Sequence, residues 1–272
     1  MSFLETKATE VKSLEWLKEN VPSAFATEGS DNTSEKYVHM STIKVLEDMN
    51  ELGWEVVSGK EIKARKRVGF QKHLLILRNP DIKIEGNDGD IVYPQILLSN
   101  SSDATSSFRF TAGLFRLICE NGLVVCDEKF GSMRVTHMGY SFEQLKEVIN
   151  KMVEQLPLIV ESLNKMKQTE LDEEQVIEFA TQALNSRFSE EQLKRFELDV
   201  MQLLEPTRDE DKGNDLWTVY NVIQEKLISG NFRYFDPESK KRKNKKARKI
   251  KNFNQDIDIN QKLYSLALDY IS

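Results

Sequence analysis

The spacing of apolar residues changes character twice along the chain. Leu4 to Lys18 reads as a helix, and the stretch VPSAFATEGSDNTSEK that follows, with Pro22, Gly29 and clustered Ser, Thr, Asp and Asn, reads as a mobile arm or loop. A second helix is expected from Ser41, where Ile43, Leu46, Met49 and Leu52 share a face and Gly53 supplies the stop. From Trp54 to His137 the period becomes strand-like. The candidates are Val56 and Val57, then EIKARKRVGF, HLLILR, DIKIE, YPQILLS, FRF, GLVVC and MRVTH. Breaks at Asn79–Asp81, Gly86–Gly89 and Ser99–Ser107 carry turn chemistry. Between FRF and GLVVC, Leu114, Phe115, Leu117 and Ile118 suit a short buried helix closed by Asn121 and Gly122.

After Gly139 the pattern is helical. Ser141 with Gln144, Asp172 with Gln175 and Ser189 with Gln192 have the spacing of reciprocal N-terminal caps. The first of these helices should kink or end at Pro157, and the next two should end near Leu184 and Leu204. LWTVYNVIQEKLISG should stop at Gly230, and a last helix should run from about Asp258 to Ile271. The pattern predicts an α+β fold: a mixed sheet with a short buried helix, preceded by N-terminal helices and followed by a helical C-terminal region. The corresponding divisions are 1–40 (helix and loop), 41–139 (mixed α+β core) and 140–272 (helical, with an exposed basic loop at 240–251).

Composition narrows the class. The 272 residues are 39% hydrophobic and 30% charged, and the first twenty carry charges where a signal peptide needs an apolar centre. A soluble, cytoplasmic protein without membrane partners is expected. Cys119 and Cys126 are too few for a disulfide framework, which favours a reducing compartment. The net charge of −6 hides an asymmetry. The run KKRKNKKARKIK holds nine cations and no acid, namely Lys240, Lys241, Arg242, Lys243, Lys245, Lys246, Arg248, Lys249 and Lys251, which leaves −15 on the other 260 residues.

That run is one candidate nucleic-acid contact, because Lys and Arg displace counterions from phosphates and the flanking Phe232, Tyr234, Phe235 and Phe253 could stack on bases. Docking onto the acidic stretch Gln168–Asp211, thirteen acids against four bases, is the intramolecular alternative. The second candidate is EIKARKRVGF. A period of two sends Ile62, Ala64, Val68 and Phe70 to one face and Lys63, Arg65 and Arg67 to the other, with Lys66 the misfit. Its structural alternative is a charged strand edge that discourages aberrant pairing.

Enzymatic signals are weak. There is no Walker loop, no G-x-G-x-x-G and no G-x-S-x-G turn, and His39, His73 and His137 form no close pair. Cys119 and Cys126 lack zinc-ligand spacing and read as buried residues. Asp103 in NSSDATSS is the sole anchor for a divalent cation, and an Asx turn accounts for it as well. No catalytic residue, metal or cofactor is assigned.

The segment from Tyr93 to Val125 resembles the phage/plasmid-like proteins grouped as domain of unknown function 932. The likeness rests on Asn100, Ser101, Asp103, Thr105, Ser106 and Phe108, then on GLFR-x-x-C-x-NGLVV from Gly113 through Arg116, Cys119, Asn121 and Gly122 to Val125. The segments around His137 and LWTVYNVIQEKLI are similar too, so the resemblance spans Val38 to the C-terminus. Ser102 and Ala104 flank Asp103 where His and Gly are often found in the family. The resemblance implies a mobile-element setting and a fold, and little mechanism. The expected function is a non-enzymatic accessory protein that binds phage or plasmid nucleic acid through the basic strand and loop. One alternative is an acidic-surfaced protein that counteracts a host factor. Another is a metal-dependent enzyme acting on nucleic acid.

Overall fold

The computed structural model describes residues 10–31, 33, 37–63, 68–85, 91–103, 108–116, 122–123, 132–135, 141–240 and 243–271. The chain divides into two compact units, one made of Thr6–Gly122 and Cys126–Leu156 and the other essentially of Pro157–Ser272.

In the N-terminal unit Ser13 caps α1 (Leu14–Asn20) and Ser41 caps α2 (Thr42–Glu51), each accepting the backbone N–H of the third helical residue, Trp16 and Lys44. In the described part of the expected arm or loop between them, Val21, Ser23, Ala24 and Ser30 are buried, and a 3-10 turn covers Pro22–Phe25. Apolar Val21 and Ala24 give this turn-rich stretch something to bury, which its turn residues concealed.

The sheet is built of β1 (Glu55–Glu61), β2 (His73–Arg78), β3 (Ile84–Glu85), β4 (Ile91–Asn100), β5 (Phe108–Arg116), β6 (Gly122–Leu123) and β7 (Ser132–Val135). Its order is β1-β2-β4-β5-β6, with β3 also on β4 and β7 also on β5. Leu75 stands opposite Leu98 and Leu77 opposite Ile96, so one face presents a continuous aliphatic surface. Val45, Leu46 and Met49 of α2 and Leu145 and Ile149 of α3 (Phe142–Gln168) bury it.

Two expectations fail here. The short buried helix does not start at Leu114, because the backbone stays extended through Arg116 and pairs with β4 from Ser99↔Arg109 to Val92↔Arg116. A long antiparallel ladder outweighs the helical spacing of four apolar residues; Leu117 and Ile118 lie outside the described residues. Nor does β1 run on through the described part of EIKARKRVGF: its register with β2 ends at Glu61↔His73, Ile62, Lys63 and Val68–Phe70 are not in a strand, and residues 64–67 lie outside the described residues. Ile62 and Val68, the expected inward residues, are 46% and 70% exposed.

The C-terminal unit holds the remainder of α3, then α4 (Glu173–Ala183), α5 (Glu190–Arg195), α6 (Leu216–Ser229), a hairpin of β8 (Arg233–Phe235) and β9 (Asn244–Lys246), and α7 (Phe253–Asp269). Of the three expected reciprocal caps, those of Asp172 with Gln175 and Ser189 with Gln192 are complete, and at the third Ser141 accepts the Gln144 amide at the start of α3. Pro157 does not end α3, which runs on to Gln168. The helix expected from Ser189 to Leu204 stops at Arg195 because Glu197 exchanges both backbone hydrogen bonds with Phe235. Helix α6 is buried nearly all round, with Leu216, Trp217, Tyr220, Ile223 and Leu227 in the core, as suits the central helix of a bundle.

Candidate nucleic-acid interface

Part of the basic run Lys240–Lys251, expected as an exposed loop, is paired: Asn244–Lys246 forms β9, one strand of a short hairpin. Strand β9 pairs antiparallel with β8 in the register Arg233↔Lys246, Tyr234↔Lys245 and Phe235↔Asn244. Backbone hydrogen bonds extend the ladder on both sides: Asp236 N–H to Lys243 O (2.9 Å), Ala247 N–H to Phe232 O (2.9 Å) and Ile250 N–H to Ile228 O (2.9 Å). Ala247 and Ile250, the two apolar residues of KKRKNKKARKIK, are buried and tie the run to the end of α6. Apolar residues at that spacing are the sequence signal that a tail reading overlooks.

Two further residues fix the segment. Gly230 closes α6 in the left-handed region at φ 75°, ψ 24°. A Cβ there would lie 2.5 Å from Arg248 C and 2.7 Å from Ala247 O, so the basic segment runs directly over a position that only glycine can fill. Arg187 donates to Leu227 O and to Arg248 O, joining the end of α6 to the basic segment, while its guanidinium lies over the Phe188 and Phe232 rings.

The cations divide by role. Lys245 donates to Asp236 Oδ2 at 2.5 Å, and Arg195 from α5 lies 3.1 Å from Asp236 Oδ1 and from Glu238 Oε2. The Lys245 hydrogen bond, with Arg195 beside it, holds the Asp236 carboxyl below the usual carboxylate range against the opposing effect of burial. Lys240, Lys243, Lys246, Arg248 and Lys251, with Arg233 on β8, are exposed, and among the described residues none of them reaches a carboxylate within 4.0 Å. Lys249 is half-buried, and Lys241 and Arg242 lie outside the described residues. Lys245 pairs with Asp236 of its own hairpin, and Glu173, Glu174, Glu190 and Glu191 are exposed in the first turns of α4 and α5.

The flanking aromatics have structural work. Tyr234 packs on Phe196 with centroids 4.6 Å apart and on Phe188 at 5.6 Å, and Phe232 meets Phe188 at 6.2 Å and is 1% exposed. Phe235 is half-buried.

The other candidate belongs to the N-terminal unit. Lys63 is exposed on the β1–β2 connection, whereas Arg65, Lys66 and Arg67 lie outside the described residues. Lys72, at the start of β2, is brought down to about 8 by burial and then by the nearby Arg109.

Beside this connection lies a buried polar network that sequence patterns did not announce. Asn100 Nδ2 donates to Met40 O (3.2 Å) and Thr42 Oγ1 (3.0 Å), and Asn100 Oδ1 accepts the Ser101 N–H (2.8 Å). Thr42 therefore gives its own proton to His73 Nε2 (3.0 Å), and His73 Nδ1–H faces Ser23 Oγ (3.1 Å) and Gln71 O (3.3 Å). Glu61 accepts from the Ser23 amide (3.0 Å) and from Gln71 Nε2 (2.6 Å). Burial brings the His73 imidazole down to about 4, so it is neutral and its two nitrogens have opposite hydrogen-bonding roles. His73 and Asn100 are fully buried, and the network pins the packed arm, the start of α2 and the ends of β1, β2 and β4 together. Asn100 of the NSSD motif thus acts as a brace. Asp103 is half-buried near Tyr37, whose hydroxyl donates to Ser101 O (3.2 Å).

Among the described residues no three His, Cys, Asp or Glu side chains converge as a metal site, and no helix is long and apolar enough to cross a membrane. Cys119, Cys126 and His137 lie outside those residues.

Residues 31–263 match the family described as Domain of unknown function (DUF932). The UPF0380 protein YafZ of Escherichia coli (strain K12) is 32% identical over 249 residues, covering 91% of this chain and 87% of its own. The UPF0380 protein YfjQ of the same strain has the same identity and coverage. No solved structure matches. The match runs from the arm before α2 through the sheet and the basic hairpin into α7, and on that span the chain belongs to the DUF932 family.

Proposed function

We propose that this protein binds nucleic acid through the exposed cations of the β8–β9 hairpin and its continuation to Lys251, as an accessory protein of mobile DNA that carries out no chemistry on it. One observation carries the reading: the basic segment is tied through β9 to β8 and, by the Ile250 N–H, to the end of α6, and its Lys240, Lys243, Lys246, Arg248 and Lys251 are exposed. A solubilising tail needs no such anchoring, whereas phosphate contacts benefit from preorganised donors. Lys63, exposed on the other unit, begins a second cluster of cations in the sequence.

The alternative of an acidic surface that occupies a host nucleic-acid-binding protein draws on the exposed Glu173, Glu174, Glu190 and Glu191. Those acids sit in helical first turns, where the macrodipole already favours them, so local structure accounts for them without a partner.

Electrophoretic mobility shift at about 50 mM salt tests the proposal, since several phosphate contacts give measurable non-specific affinity at low salt. The full-length protein is expected to shift DNA, and a variant with Lys240, Lys243, Lys246, Arg248 and Lys251 changed to Gln is expected to lose most of that shift. A wild-type protein that shifts none overturns the reading.

A further inference from the structure

We infer that the hairpin is built for double-stranded, B-form DNA in preference to single strands; this rests on the proposed nucleic-acid binding and specifies its substrate. Single-strand binders combine a cationic groove with aromatic rings on which bases stack. Here two rings beside the hairpin cations are already committed to packing. Tyr234 lies against Phe196 and Phe188, and Phe232 is buried under Phe188 and Arg187.

What the hairpin offers outward is charge in a fixed order. Arg233 and Lys246 are direct cross-strand partners, both exposed, and like charges so placed cost stability in the free protein. An anion between them removes that cost. Two residues beyond Lys246, with Ala247 turned inward, Arg248 is exposed as well. The three cations are carried by a short two-stranded ribbon whose backbone is tied at Ala247, at Ile250 and over Gly230. A two-stranded ribbon fits the roughly 12 Å major groove of B-form DNA, with cations to either phosphate rail, whereas the A-form major groove is deep and narrow. Anchored cations beside rings that pack on Phe188 and Phe196 suit a regular phosphate lattice better than a flexible strand.

The test is fluorescence anisotropy of the full-length protein at about 50 mM salt with three probes of one sequence: a DNA duplex of about 20 base pairs, one of its strands alone, and the RNA duplex. Arg233→Gln/Lys246→Gln/Arg248→Gln is run beside the wild type. The expected result is DNA duplex bound at least about tenfold more tightly than either other probe, with that margin reduced in the triple variant, which replaces exposed side chains and so should fold normally. Equal or tighter binding of the single strand or of the RNA duplex overturns the inference while leaving nucleic-acid binding intact. Binding of no probe by the wild type overturns both.

Discussion

Single residues carry loads here that their types did not advertise. Gly230 and Gly69 both have positive φ, 75° and 94°, and differ in what surrounds them: the backbone of Arg248 lies over the first, and nothing lies within 4 Å of a Cβ on the second. Gly69→Ala should cost about 1 kcal/mol from left-handed strain alone. Gly230→Ala adds a backbone clash and should cost on the order of 2 kcal/mol or more, read by denaturant unfolding, and should weaken DNA binding by displacing the basic segment. Equal costs at the two positions would contradict the close approach at Gly230. His73 makes a prediction in pH. Its folded pKa of about 4 lies below the ordinary 6.5, so the unfolded chain takes up a proton first as pH falls. Stability is therefore full above about pH 6.5 and declines towards pH 4, by on the order of 3 kcal/mol in all. Denaturant unfolding at pH 7, 5.5 and 4 measures this, and His73→Gln should flatten the profile over that window while lowering stability at pH 7. An unchanged profile would remove His73 from the buried network.

At the scale of elements, the hairpin is held from three sides, and each tie can be cut. Arg187→Met leaves Leu227 O and Arg248 O without their guanidinium donor. Hydrogen exchange at the Ala247 and Ile250 amides should then speed up by about tenfold or more, because opening of the segment costs less by on the order of 1–2 kcal/mol. Unaltered exchange would show that the ladder alone suffices. The Asp236 carboxylate adds a pH term. Its pKa is held below the ordinary range, so its support for Lys245 is complete above the unfolded carboxylate value and lost as pH falls through the depressed one. Local rules were legible for helix ends: Ser41, Ser141, Asp172 and Ser189 cap helix starts and Gly230 closes α6, where their spacing placed them. They failed where distant pairing decided the outcome. Eight register pairs with β4 keep Gly113–Arg116 extended, and the exchange between Glu197 and Phe235 breaks a helix that periodicity would have continued. Of the basic run, charge was legible but conformation was not. Its strand status depends on β8, and its anchoring depends on Arg187, some sixty residues away in sequence.

For the whole molecule, the sum of −6 is the least informative electrostatic quantity. In the C-terminal unit exposed Glu residues gather in the first turns of α4 and α5, while the hairpin and its extension carry more exposed Lys and Arg than acids. Such sorting lets an acidic protein attract a polyanion locally while its acids repel it elsewhere, which favours one orientation of approach. Binding should accordingly be strongly salt-dependent. The most direct measurement is the slope of log affinity for a DNA duplex against log salt concentration, for wild type and for the variant with Lys240, Lys243, Lys246, Arg248 and Lys251 changed to Gln. Each phosphate contact contributes about 0.9 to the slope. Binding through the hairpin predicts a steep wild-type slope and one shallower by about four in the variant, whereas equal slopes for the two proteins would place DNA binding, if any is measured, away from the hairpin and contradict the proposed interface.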